Sequence, residues 1–388
     1  MPEDFAYLNS NEIYLDNACQ SLRPIPVIEK LVAYYKEYNS CGERVKYKWG
    51  RITDENVQKT RKLVLEYLHL SSRDYFVSFT LNTSYGINLI LSQIKCAYID
   101  KIMTSDIEHN SPFLSTITFS RKNNIQREVI TREEDGSINI SKYNFKNALV
   151  VLNTTSNIDG RKLINVEELV KAVHKEGGII ILDAAQTMAH SSEILHKTKA
   201  DAILFSAHKM YAPTLGVMVV RKDLLNKIDT TFIGGGMVDD VTLDDYRLSY
   251  LKDEHIHTVF ETGLQAFGEI IALGETIKWL MNLPKEAHKH LNENAKLLYD
   301  YLSSKDKVVL VNKECNPTMS FYIKGIDSHL LGSALVDKNI MVRTGYFCAH
   351  YYLSHIKEYP PLIRFSLGYH NSKKDVETII NIMEGILK

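Results

Sequence analysis

Two short apolar runs each lead straight to an ionisable residue. Ile179-Ile180-Ile181-Leu182 stops at Asp183, and Ala202-Ile203-Leu204-Phe205 passes through Ser206-Ala207-His208 to Lys209. A brief, continuous apolar run reads as a strand buried on both faces. Asp183 and Lys209 lie 26 residues apart, room for a helical connection and a second strand. That is one βαβ unit, whose two strands run parallel. Their C-terminal ends then share one edge of a sheet, the edge where α/β folds bind ligands. Asp183 and Lys209 are therefore expected to face the same ligand.

A lone lysine in a loop is ordinarily a solvated one. At the end of a buried strand, desolvation disfavours the ammonium form and lowers its pKa. A neutral amine can form a Schiff base. A carboxylate opposite such a lysine is the pairing that pyridoxal phosphate requires. The carboxylate keeps the pyridine nitrogen protonated, and the lysine carries the aldehyde.

The rest of the chain supplies a sheet around this pair. Strand-like runs over 75–79, 102–104, 126–130, 148–152, 179–183, 202–205 and 216–221 alternate with helical patterns after Thr83, after Ser111 and over 166–176. The fold class is α/β: a mainly parallel, seven-stranded-type sheet flanked by helices. Upstream, a helix is expected over 27–38, an exposed loop over 39–49 and a helix over 54–68. Downstream, Gly234-Gly235-Gly236 breaks structure ahead of a polar segment over 239–254, and a helix runs from near Gln265 to Met281. Past Pro284 come helices over 286–302, 328–338 and 373–387, and strands over 308–311, 319–323 and 340–343. The expected division is an N-terminal arm, 1–20, joining a small domain; a large cofactor-binding domain, 21–265; and a smaller α+β C-terminal domain, 266–388, that carries the Cys348 loop.

The 46 basic and 47 acidic side chains leave a net charge of −1, which implies no general attraction to nucleic acid or an anionic membrane. The start, Met1-Pro2-Glu3-Asp4-Phe5-Ala6, is acidic and lacks the apolar segment of a secretory signal. No apolar run approaches the ~20 residues that span a bilayer. A cytoplasmic protein is expected. Cys19, Cys41, Cys96, Cys315 and Cys348 are scattered, with no C-x-x-C pair, so neither a disulfide framework nor a metal site is expected.

Ser206-Ala207-His208-Lys209, Asp183-Ala184-Ala185-Gln186 and Tyr14-Leu15-Asp16-Asn17-Ala18 together resemble the class V aminotransferase family of pyridoxal-phosphate enzymes. The similarity runs nearly end to end and is greatest to the SufS-type cysteine desulfurases and selenocysteine lyases. It implies the type I fold of pyridoxal-phosphate transferases, a homodimer, and pyridoxal 5'-phosphate as cofactor. Asn82-Thr83-Ser84 follows a strand and opens a helix, and by itself reads as a helix cap by Thr83 or Ser84. The resemblance makes Thr83 and Ser84 phosphate ligands, joined by Ser206 and His208. It stacks His109 of Glu108-His109 on the cofactor ring and gives it a catalytic part. Asn157 and Gln186 go to the ring oxygen, Asp183 to the ring nitrogen, and Lys209 to the aldehyde.

Arg364, between apolar neighbours in Ile363-Arg364-Phe365, matches the arginine that clamps the substrate carboxylate with its planar fork. Arg343, in Arg343-Thr344-Gly345-Tyr346-Phe347-Cys348-Ala349, lies on the same substrate side. Most free cysteines pack as small hydrophobes. In this frame the resemblance makes Cys348 the thiol that takes sulfur. The implied reaction converts L-cysteine to L-alanine and leaves a persulfide on Cys348 for a sulfur-acceptor protein, such as an iron–sulfur scaffold. The alternatives are a selenocysteine lyase, an amino-acid epimerase, an aminotransferase or a non-catalytic cofactor-binding homologue. A binding module would need neither Lys209 nor Asp183.

The chain departs from the family pattern in several places. Ala212-Pro213-Thr214-Leu215 is one residue shorter than the usual Gly-Pro-Thr-Gly segment. Leu264, in Phe260-Glu261-Thr262-Gly263-Leu264-Gln265, replaces a threonine that reaches the neighbouring subunit's phosphate. Glu43-Arg44 stands for a His-Arg pair at the substrate entrance, Tyr346-Phe347 for His-His, and Cys19 for an alanine beside the expected active site.

Overall fold

The computed structural model describes residues 3–9, 11–42 and 45–388; Met1, Pro2, Ser10 and the Glu43-Arg44 pair lie outside the described residues. The N-terminal part contains β1 (Ile13–Tyr14), α1 (Ile25–Glu37) and α2 (Lys48–Tyr67). The central part follows with β2 (Tyr75–Thr80), α3 (Thr83–Gln93), β3 (Lys101–Ser105), α4 (Asn110–Asn123), β4 (Gln126–Ile130), β5 (Ala148–Asn153), α5 (Val166–Lys175), β6 (Ile179–Asp183), β7 (Ala202–Ser206) and β8 (Gly216–Arg221). Next come β9 (Val238–Val241), β10 (Tyr246–Leu248), α6 (Phe267–Met281) and α7 (Lys285–Ser303). The chain closes with β11 (Val308–Leu310), β12 (Thr318–Ile323), α8 (Ser328–Val336), β13 (Ile340–Met341), β14 (Arg343–Gly345), β15 (Leu362–Ser366) and α9 (Lys373–Leu387).

The seven-stranded sheet has the order β2-β8-β7-β6-β5-β3-β4. Its strands pair in parallel except β8, which runs antiparallel to both β2 and β7. Alternation along the strands explains why both faces are covered. In β5, Val150 and Leu152 enter one apolar core while Leu149 and Val151 enter the other; in β6, Ile180 and Leu182 divide from Ile179 and Ile181 in the same way. Successive side chains point to opposite faces of a strand, so an unbroken apolar run is what a doubly covered sheet demands. Each such burial stabilises the fold by about 1.5–3 kcal/mol.

Five local expectations are revised. The β6–β7 connection carries no α-helix, only a 3-10 turn at Ser192–Leu195, and Lys197 sits in the left-handed region at φ 58°. Helix α2 begins at Lys48, so the loop before it is shorter than the charged residues suggested; Ile52, inside the added turns, packs on the core. The polar segment over 239–254 contains the β9–β10 hairpin. The 308–311 strand ends at Leu310. The run over 340–343 splits: β13 pairs in parallel with β1, while β14 pairs antiparallel with β15. The two halves join different sheets, and Val342 lies between them.

The second large sheet has the order β11-β12-β15-β14, all antiparallel. The N-terminal segment lies along this part of the molecule through Ile13↔Ile340 and the bridge Asp16↔Ser366. A buried, two-pronged ion pair fixes the opposite flank. Arg61 Nη1 and Nη2 donate to the Glu261 carboxylate at 2.7 Å each, and Glu261 Oε1 also accepts from Phe79 N–H at 2.7 Å. Removing either partner would leave an uncompensated buried charge, which costs several kcal/mol, about 3–5.

Candidate active site

The parallel strands deliver their C-terminal residues to one edge. Asn153 and Asp183 are register partners at the ends of β5 and β6, Ser206 ends β7, and the next turn, Ala207–Lys209, presents the lysine. Ser21 ties that turn down: its N–H and Oγ–H donate to His208 O at 2.9 and 3.0 Å, and its Oγ accepts from Tyr211 N–H at 2.6 Å. Tyr211 takes a left-handed backbone, φ 71°, which reverses the chain after the lysine.

Every residue singled out for the site from sequence lines one cavity of about 280 Å³. That is near the lower end of ordinary small-molecule pockets, about 300–1,000 Å³. Asp183 is buried there and Lys209 partly buried. Desolvation lowers the Lys209 pKa, with the Asp183 charge pulling it back. Desolvation likewise raises the Asp183 carboxyl, opposed by Ala185 N–H, which donates to Oδ1 at 2.9 Å, and by the Lys209 charge.

Thr83 and Ser84 occupy the first turn of α3, but the cap is Asn82, whose side chain accepts from Tyr85 N–H at 2.9 Å. Freed from capping, Thr83 Oγ1 lies 2.6 Å from Ser206 Oγ, and Thr83 N–H donates to the same oxygen at 3.0 Å. Ser84 Oγ meets Ser111 Oγ from the first turn of α4. Hydroxyls gathered at a helix N-terminus suit an anion. His208 also lines this region, its Nδ1 without a partner among the described residues and its pKa lowered to about 4 by burial and then by Lys209 and Arg23.

His109 caps α4: its Nδ1 accepts from Ser111 N–H at 3.0 Å. An accepting Nδ1 assigns the ring proton to Nε2. Burial, with the Lys209 and Arg364 charges, lowers the His109 pKa to about 3, so the ring is neutral. Its sequence neighbour Glu108 is fully buried, accepting from Ser105 Oγ at 2.5 Å and from Asn153 N–H at 2.8 Å. Desolvation pushes Glu108 up to about 8. Gln186 Nε2 donates to Ala18 O at 2.7 Å, which connects the β6 edge to the N-terminal arm.

On the substrate side, Arg364 is only 3% exposed, while the Arg343 side chain is half exposed at the rim. Arg364 Nη1 donates to Asn157 O at 2.9 Å and Nη2 to Asp16 Oδ1 at 3.2 Å, and the guanidinium lies over the Phe347 ring at 4.8 Å. Cys348 is exposed. Phe347 and Cys348 both adopt positive φ, 48° and 57°, a pair of left-handed non-glycine residues held by Asn157 Nδ2–H to Phe347 O at 2.6 Å and Asn110 N–H to Cys348 O at 2.5 Å. A single π-helical turn, Tyr351–Ile356, follows. Such strained backbone persists where surrounding contacts over-determine it.

Two buried atoms in the cavity wall, Asn157 Oδ1 and Arg364 Nε, have no partner among the described residues. Buried polar groups are ordinarily paired, so an acceptor and a donor left open here point to a polar ligand. The hydroxyl cluster, the Asp183 carboxylate and Lys209 have the chemistry to hold the phosphate, ring nitrogen and aldehyde of pyridoxal phosphate. Sequence reasoning missed Asp16, Ser111 and Asn153 as parts of this site. None has a local signal, because each acts through a partner distant in sequence or on another element. Leu264 is well exposed, and the Thr262 hydroxyl already donates to Phe232 O at 3.2 Å. Among the described residues no cluster suited to a metal ion occurs, and no helix is long and apolar enough to cross a membrane.

Comparison with known proteins gives consistent results. The aminotransferase class-V family model matches residues 13–379. A probable cysteine desulfurase of Pyrococcus abyssi is 29% identical over 405 aligned positions, covering 100% of this chain and 98% of the relative. One from Halalkalibacterium halodurans is 28% identical, with 96% and 92% covered. The solved structure of a cysteine desulfurase from Thermococcus onnurineus superposes with a TM-score of 0.86 at 29% identity, covering 97% of this chain and 94% of the other. The Escherichia coli cysteine desulfurase CsdA shares the fold, with a TM-score of 0.87 at 20% identity over 100% and 98% of the two chains.

Proposed function

The chain belongs to the class-V aminotransferase family, and from that premise we propose that it is a pyridoxal-phosphate-dependent cysteine desulfurase. The observation that carries this reading is one cavity lined by Lys209, Asp183, Arg364 and Cys348. The names of its relatives from Pyrococcus abyssi and Thermococcus onnurineus support it.

The reaction balances as L-cysteine plus the Cys348 thiol giving L-alanine plus the Cys348 persulfide. The substrate Cβ–Sγ bond breaks and one S–S bond forms. Thr83, Ser84, Ser206 and His208 would hold the cofactor phosphate, His109 its ring face, Asp183 its ring nitrogen, and Asn157 and Gln186 its ring oxygen. When bound, the cofactor supplies the electron sink that makes the substrate sulfur transferable. Lys209, its ammonium disfavoured by burial, moves protons at the substrate carbons. Asp183, its carboxyl raised by burial, would pair with the cofactor ring nitrogen, and a positive charge there would favour the carboxylate. Arg364 orients the substrate carboxylate through its fork, and Arg343 adds positive charge at the entrance. The neutral His109 presents Nε2–H as a donor. Cys348, at the exposed rim, receives sulfur and hands it to an acceptor outside.

The acceptor is read as a protein, with iron–sulfur cluster assembly as the process it serves. A homodimer is proposed as well, supported by the exposed Leu243 of the β9–β10 hairpin and by Leu251 and Leu264. The five cysteines are all free, which supports a reducing, cytoplasmic setting.

The test is a product assay. Purified protein loaded with pyridoxal phosphate and given L-cysteine with a thiol reductant should form alanine and sulfide in equal amounts. Cys348→Ala should lose most of that activity, since removing a nucleophile costs orders of magnitude, about 10³-fold or more. Keto-acid formation without alanine would replace this reading with transamination.

A further inference from the structure

Cys348 does not stand alone in the cavity. Cys19 lines it too, from the opposite end of the chain. The Cys19 backbone is held in place by its neighbours. Its N–H donates to Asp16 O at 3.0 Å, Ala18 N–H donates to Ser366 Oγ at 2.9 Å, and Ala18 O accepts from Gln186 Nε2 at 2.7 Å. The thiol lies beside the Asp16 carboxylate and within the electrostatic reach of Lys209 and Arg364. Both thiols lie within the electrostatic reach of Lys209, and Cys19 within that of the buried Arg364 as well. Cys19 is partly buried and Cys348 exposed, so the two thiols mark an inner and an outer position on one cavity.

We propose that Cys19 is a second persulfide site, which receives sulfane sulfur from Cys348 by exchange within the cavity. The inference rests on the desulfurase reading above. The Cys19 thiol gives its proton to the Asp16 carboxylate, and its sulfur attacks the terminal sulfur of the Cys348 persulfide. A new S–S bond forms at Cys19 as the bond at Cys348 breaks. The Cys348 thiolate leaves and takes up the proton from Asp16. One S–S bond is made and one is broken, so the step needs no oxidant or reductant. Its consequence is storage. A sulfur on Cys19 is withdrawn from solvent, while Cys348 is free at the rim to accept another.

The experiment uses the holoenzyme. It is incubated with L-cysteine without added reductant, alkylated, digested without reduction, and mapped by mass spectrometry. The expected result is one added sulfur on the Cys19 peptide as well as on the Cys348 peptide. Cys41 and Cys315, both exposed, serve as internal controls and should stay unmodified. In Cys348→Ala the Cys19 peptide should lose its added sulfur, and in Cys19→Ser the sulfane sulfur held by a chain should fall to that on Cys348. Added sulfur on Cys348 alone in the wild type overturns the inference and leaves the desulfurase reading standing. Modification of Cys41 and Cys315 to the same extent as Cys19 overturns it too, since the sulfane sulfur then spreads through solution as free persulfide or polysulfide rather than within the cavity. So does a Cys19 persulfide in Cys348→Ala, which would mean direct transfer from substrate. No added sulfur on either residue, with no alanine formed, defeats the desulfurase reading itself.

Discussion

Arg364 Nη2 donates to Asp16 Oδ1 across 3.2 Å, and so joins β15 of the four-stranded sheet to the N-terminal segment. The pair serves two ends. It partly offsets the burial that lowers the Arg364 pKa, and it leaves Nε without a partner among the described residues. An arginine fixed by a carboxylate on one side is presented in one orientation on the other.

That geometry makes Arg364→Lys a sharp test. Lysine keeps the charge but cannot serve Asp16, Asn157 O and a substrate carboxylate together. The KM for L-cysteine should rise by about 10–100-fold, the loss of one charge-assisted hydrogen bond of about 1.5–3 kcal/mol. Steady-state kinetics read this directly. An unchanged KM would remove Arg364 from substrate binding.

Gly216 is the register partner of both Thr80 and Ser206. A Cβ there would stand 2.3 Å from Thr80 Oγ1 and 2.6 Å from Asn82 N. Asn82 caps α3, so the shift would pass straight into the hydroxyl cluster. Gly216→Ala should therefore weaken pyridoxal phosphate binding by about 10-fold or more, while pyridoxal, which lacks the phosphate, should lose much less. Titration of apoenzyme with each compound separates the two. Equal losses would assign Gly216 to general stability.

Glu108 sets a pH dependence of stability with a definite sign. Its folded pKa is raised from 4.5 to about 8, so between those values the folded chain holds a proton that the unfolded chain has lost. Its contribution is present below the unfolded value and is lost as pH rises through the folded one, at about 1.4 kcal/mol per pH unit. Glu108→Gln keeps the shape and an acceptor for Asn153 N–H without an ionisable carboxyl. The variant should match the wild type near pH 5 and have the higher Tm near pH 9. A parallel decline of both proteins with pH would mean that Glu108 is ionised in the fold.

Lys209 should be the only lysine trapped by borohydride reduction in the presence of pyridoxal phosphate. Peptide mapping locates the label. Its appearance on the nearby Lys162 or Lys313, which line a neighbouring cavity of about 420 Å³ that also reaches Lys209, would overturn the assignment of the site.

The sequence by itself determined the large sheet and the residues at its edge. Runs such as Ile179–Leu182 and Ala202–Phe205 are apolar at every position, and only a strand covered on both faces asks for that. The chemistry then sits where each run stops, at Asp183 and Lys209, because strand and stop are adjacent in the chain. The tertiary structure alone decided what comes to that edge from far away. Asp16 and Cys19 arrive because β1 pairs with β13, and Arg364 because β15 pairs with β12 and β14. Neither pairing leaves a periodic trace near the residues it delivers. Local chemistry was equally silent on competition between neighbours. Asn82, Thr83 and Ser84 can each cap a helix, and only the observed backbone shows that Asn82 does so and leaves the two hydroxyls to face Ser206 and Ser111. The same holds for the β6–β7 crossover, where spacing suggested a helix that the chain does not form. Short-range patterning fixes where a strand ends; which distant side chain meets that end depends on contacts that no window of the sequence contains.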